Sequence, residues 1–108
     1  MQPMNWYTLS DPAILLELGK RIKEYRLRRN MTQKILAVRS GISVLSVQNL
    51  EKGQPVSMLT FLSVLRSLRI FENLESLLPE LPLSPVELLK LQGKHRQRAS
   101  KSAVKKKN

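Results

Sequence analysis

The side chains of this chain best equipped for chemistry are cationic: 19 Lys and Arg stand against 8 Asp and Glu, a formal net charge of +11. The chemistry such a surplus offers is pairing with a polyanion. It is unevenly spread. Residues 94–108 hold seven Lys/Arg and no acid, whereas residues 1–93 hold the other twelve against all eight acids, a net +4. A second cluster, Lys20, Arg21, Lys23, Arg26, Arg28 and Arg29, falls on one predicted helix.

Groups suited to covalent or acid–base work are not assembled. His95, the single histidine, lies in the basic tail with no nearby acid to orient it, and the eight carboxylates show no spacing that pairs two of them in an apolar setting. The serines lack a nucleophile elbow, and the four glycines never form a phosphate-cradling loop. With no cysteine, disulfides and thiolate metal sites are excluded, and one histidine cannot build a metal cluster. The expectation is a protein that is not an enzyme, with no cofactor and no metal.

The scaffold must be small. A chain of 108 residues that is 42% hydrophobic but only 5% aromatic allows one domain with a core of Leu, Ile and Val. A domain of that size is marginal alone and often gains stability by dimerising. No stretch approaches the roughly 18 to 20 apolar residues of a membrane span, and no basic region followed by an apolar run opens the chain. A cytoplasmic, nucleoid-associated protein with no membrane partner is expected.

Residues 1–11 have no sustained period and read as an arm, with Trp6 and Tyr7 as isolated aromatics. Ser10 or Asp11 before Pro12 is a helix start, because a side-chain oxygen caps free N–H groups and Pro suits the first helical position. This first helix is expected to run to about Arg29, burying Ile14, Leu15, Leu18, Ile22 and Tyr25, and to end at Asn30, which tolerates the left-handed conformation. Thr32 caps a second helix whose inward residues are Leu36 and Ala37. Gly41 supplies a turn, Ile42 plugs the core, and Ser43 caps a third helix with Val47 and Leu50 inward and Gly53 at its end. Two short helices pinned by a Ser-Gly-Ile turn are a helix-turn-helix signature. Two basic runs flanking such a unit point to phosphate contact rather than to solvated surface alone.

A fourth helix is expected from a cap near Ser57, burying Met58, Phe61, Leu62, Leu65 and Leu68, and a fifth from about Glu72 to Leu78. These close a domain over residues 12–78. Pro79 and Pro82 then break the chain, and Ser84-Pro85-Val86-Glu87 is a capping box that starts a short sixth helix through about Gln92, within a Pro-rich segment spanning 79–93. Residues 94–108 are polar and basic, too poor in large apolar groups to offset the entropy of ordering, and are expected to be a disordered tail. The fold class is all-α.

In one register, Leu18-Gly19-Lys20-Arg21-Ile22 and Arg26, Met31-Thr32-Gln33, Leu36-Ala37, Gly41-Ile42-Ser43, Val47, Leu50-Glu51 and Gly53 resemble the Cro/repressor class of helix-turn-helix proteins, the XRE family. The resemblance spans about residues 14–78 and implies a five-helix lambda-repressor-like domain. It implies that the third helix enters the major groove of double-stranded DNA while the second crosses the phosphate backbone. Carried over, Ser43, Val44, Leu45, Gln48, Asn49 and Lys52 become DNA-binding residues, with Gln33 and Ser46 near phosphate or supporting the readers. The amides of Gln48 and Asn49 both donate and accept, matching the N6 and N7 edge of adenine, and Val44 suits a thymine methyl. Arg26 and Glu51 match a structural ion pair joining the first and third helices. Lys94, Arg96, Arg98 and Lys101 are expected to meet phosphate. Ile35, Val38, Leu45 and Leu59 depart from the family's usual polar residues and suggest a face for a dimer or another protein.

Residues 83–94, with Arg96, Arg98 and Ala99, are similar to the extension of HipB-type antitoxin repressors. That likeness implies a homodimer on a palindromic operator and a HipA-like serine/threonine kinase toxin, or an associated small protein, as partner. A second reading stays open, in which the fold is a scaffold that sequesters a toxin and binds DNA weakly or without sequence preference.

Overall fold

Hydroxyl side chains start four of the helices in the computed structural model, which describes residues 3–93. The oxygens of Ser10, Thr32, Ser43 and Ser57 accept from the backbone N–H groups of Ala13, Ile35, Ser46 and Thr60 at 3.0 to 3.3 Å. Each satisfies a donor that the first helical turn leaves free. The helices are α1 (Asp11–Arg28), α2 (Gln33–Ser40), α3 (Val44–Glu51) and α4 (Met58–Leu68), followed by a short α5 (Asn73–Leu77). A single 3-10 turn, Trp6–Thr8, precedes them. All regular structure among the described residues is helical, as the sequence led one to expect.

Left-handed residues punctuate the chain. Asn30, Gly41 and Gly53 stop α1, α2 and α3 with φ of 53°, 68° and 81°. Arg69 ends α4 at φ 58°, where no glycine or asparagine announces the stop. α2 packs on both α3 and α4, and α1 on α3, around a core of Ile22, Met31, Leu36, Ala37, Val47, Leu50, Val64, Leu65, Leu68 and Ile70. A hydrogen bond of 2.8 Å from Ser40 to Ser67 adds a polar tie between α2 and α4.

Several sequence expectations are corrected. Met58 is 77% exposed, and the buried stripe of α4 instead includes Val64, at 0% exposure. The i, i+3, i+4 pattern that meets the core runs Phe61, Val64, Leu65, Leu68 and so starts one turn later. Tyr25 is exposed, and Ile14, Leu15 and Leu18 are only half-buried, leaving Ile22 to carry the apolar side of α1. α1 stops one residue before the expected Arg29, and α5 is shorter than the expected 72–78.

Residues 3–77 belong to one compact unit, while those from 78 onward fall in another. Within the second unit a helix covers 85–93. Its start is a reciprocal capping box: the Glu87 N–H donates to Ser84 Oγ at 3.1 Å, and the Ser84 N–H donates to Glu87 Oε2 at 3.2 Å. The expected disorder of the basic tail, and its phosphate contacts through Lys94, Arg96, Arg98 and Lys101, lie outside the described residues.

Candidate nucleic-acid interface

α3 is held by its carboxyl end. Arg26, near the end of α1, donates from Nε to Glu51 Oε2 at 2.6 Å and from Nη2 to Glu51 Oε1 at 3.0 Å, a two-pronged pair. Its Nη1 donates to the carbonyl of Met31 at 2.8 Å. The Arg26 and Glu51 side chains are only 7% and 3% exposed. Gln33 completes the cluster, its Nε2 donating to Glu51 Oε1 at 3.1 Å. One carboxylate thus joins the end of α1, the start of α2 and the end of α3. Such a pair is costly to desolvate but far costlier to leave half-made.

Close packing fixes the same end. A β-carbon on Gly19 would fall on the backbone carbonyl oxygens of Leu50 and Glu51, the second at 2.8 Å. On Gly53 it would meet the Leu16 Cα at 2.7 Å, at a φ that already favours glycine. α1 therefore presses directly on the last turn of α3, with no side chain between them.

Away from the core the helix is free. Val47 and Leu50 point inward, while Leu45, Gln48, Asn49 and Lys52 stand at i, i+3, i+4 and i+7 on the opposite side. Val44 and Leu45 are exposed, Gln48 and Asn49 half-buried, and Lys52 exposed. Ser43 and Ser46 are engaged with each other: their hydroxyls lie 2.9 Å apart, and Ser43 Oγ also caps the Ser46 N–H. Gln33, half-buried, gives its amide to Glu51 and so supports the helix that carries the other candidates.

The α1 basic cluster divides on inspection. Arg26 is internal. Arg21 pairs with Glu17 at 2.8 Å and lies over the Trp6 ring, 4.8 Å from its centre. Arg29 lies over the Tyr25 ring at 5.3 Å and donates to the Tyr25 carbonyl. Lys20, Lys23 and Arg28 remain as exposed cations. The sequence set Arg26 apart, through the resemblance that pairs it with Glu51, but left the other five alike, because charge type does not distinguish a cation facing a carboxylate or ring from one facing water. The exposed apolar residues Ile35 and Val38 on α2 and Leu59 on α4 are confirmed as surface groups.

Among the described residues no group of acidic, histidine or cysteine side chains is placed to hold a metal ion, and no helix is long and apolar enough to cross a membrane. The helix-turn-helix family profile matches residues 22–70. A similar solved structure is the restriction-modification controller protein C.AhdI from Aeromonas hydrophila, 34% identical, with a TM-score of 0.52 over 54% of this chain and 89% of that protein. A comparison with curated proteins gives no match.

Proposed function

Because the chain belongs to the helix-turn-helix family of DNA-binding regulators and has its lambda-repressor-like all-α fold, we propose that it is a sequence-specific transcriptional repressor acting as a symmetric dimer on a palindromic operator. The observation that carries this reading is the division of α3: one face and one end are locked to α1 and α2, while Leu45, Gln48, Asn49 and Lys52 project together from the other face. A helix held so can enter a major groove without losing its register on the domain. Two copies would place their α3 helices about 34 to 36 Å apart, one turn of DNA. Lys20, Lys23 and Arg28, with Lys94, Arg96, Arg98 and Lys101 from the tail, supply phosphate-neutralising charge.

The finer reading is that the protein represses its own operon. The similarity of residues 83–99 to HipB-type antitoxins supports an operon that also encodes a HipA-like serine/threonine kinase, and the controller protein C.AhdI supports control of a restriction-modification system. Both settings use the same act of operator binding, and co-purification with the neighbouring gene product separates them. Exposed Ile35, Val38 and Leu59 favour a second reading, a scaffold that holds a protein partner and binds DNA only weakly.

Fluorescence anisotropy on the DNA directly upstream of the gene tests the main reading. Binding at physiological salt is expected to exceed that of a scrambled duplex by at least about a thousandfold, the lower range for specific recognition. Equal affinity for the two would overturn it.

A further inference from the structure

The exposed end of α3 is apolar where a reading helix is usually expected to offer hydrogen bonds. We infer that this chain reads its DNA through the C5 methyl groups of thymine, using Val44 and Leu45. The inference rests on the proposed role of α3 in the major groove and adds what α3 recognises there.

Three observations carry it. Ser43 and Ser46 share one hydroxyl hydrogen bond, and Ser43 Oγ also accepts from the Ser46 N–H, so the hydroxyls of the first turn are in part committed to each other. Val44 and Leu45 are 37% and 61% exposed, in adjacent positions at the end of α3 that the core does not hold. Gln48 and Asn49, further along the helix, are less exposed than Leu45.

Base-edge chemistry completes the inference. In the major groove guanine shows two acceptors, cytosine a donor and adenine one of each, whereas thymine adds a methyl group. An aliphatic side chain pressed on any polar edge strips its water and returns no hydrogen bond, which is unfavourable. Against a thymine methyl the same side chain buries apolar surface. Val44 and Leu45 therefore favour thymine and also reject the other bases. Val44 is β-branched and stiff at χ1, so little freedom is lost when it docks.

Deoxyuridine tests this directly, because it removes the thymine methyl and leaves the hydrogen-bonding edges intact. A preferred duplex is first selected from a random pool with the full chain, and each thymine is then replaced singly by deoxyuridine. Affinity is expected to fall about fourfold, the worth of one buried methyl, at one or two thymines in each half-site. Each such loss is expected to vanish in Val44→Ala or in Leu45→Ala, since that variant no longer makes the contact. Selective binding with no deoxyuridine effect would overturn the thymine inference and leave DNA reading intact. An effect that persists undiminished in both variants would overturn it too, by assigning the methyl to another residue. If no sequence is enriched, the DNA reading fails and this inference with it. If an alanine variant folds poorly, Val44→Thr and Leu45→Asn serve in its place, each expected to abolish the deoxyuridine effect.

Discussion

The two ends of α3 are built on opposite terms. At its carboxyl end, Glu51 is enclosed by Arg26 and Gln33, and the chain passes so close to α1 that only glycine fits at positions 19 and 53. At its amino end Leu45 is 61% exposed and Val44 37%, and no ion pair comparable to Arg26–Glu51 holds the first turn, which is capped by Ser43. The contrast shows a division of labour within eight residues. Stability is concentrated where the helix is anchored, and the proposed recognition falls where it is not, so substitutions at the two ends are expected to fail in different ways.

The sharpest way to break this contrast is Glu51→Ala, which leaves the Arg26 guanidinium buried without its counter-charge. A loss of about 3 to 5 kcal/mol is expected, read as a shifted urea midpoint. A loss below about 0.5 kcal/mol would show that the carboxyl end is not the anchor. Gly19→Ala follows. Its methyl meets backbone oxygens that cannot swing aside, and overpacking of that kind costs about 1 to 3 kcal/mol. DNA affinity should fall with it at every sequence alike, because the whole reading helix is displaced.

Asn49→Ala sits at the small end for stability, within about 0.5 kcal/mol of the parent, as for other surface changes. Its effect should instead appear as a relaxed preference at one base pair, by about 1 to 3 kcal/mol, in competition binding against single-base variants. Unfolding by this substitution would erase the distinction between the inward and outward faces of α3.

Much of this was legible in the residues. Ser10, Thr32, Ser43 and Ser57 are capping types followed by apolar helical patterns, and each caps a helix. Ser84 and Glu87 stand at capping-box spacing and make both of its bonds. These signals are local, so they survive without knowledge of the neighbours. Where the buried stripe of α4 begins was not legible: Phe61, Leu65 and Leu68 face the core as expected, but Met58 does not. In Met58-Leu59-Thr60-Phe61-Leu62-Ser63-Val64-Leu65 apolar groups occur on nearly every side, and periodicity alone selects no inward face. The 3-10 turn that brings Trp6 under Arg21 was equally hidden, because its stacking partner lies midway along the next helix.

At the candidate site the same boundary holds. The sequence by itself determined which residues occupy α3, that Val47 and Leu50 must face inward, and that Gly41 and Gly53 must bracket the helix, because spacing and backbone conformational preference are properties of the local chain. Only the tertiary structure decided which polar groups remain to act. The Arg26–Glu51 pair was expected from the family resemblance, whereas the Gln33 bond to Glu51 and the stacking of Arg21 on Trp6 join residues far apart in sequence, and Val44 and Leu45 are left as the exposed tip. A hydrogen bond or ion pair depends on where two side chains meet, and that meeting exists only once the helices have packed.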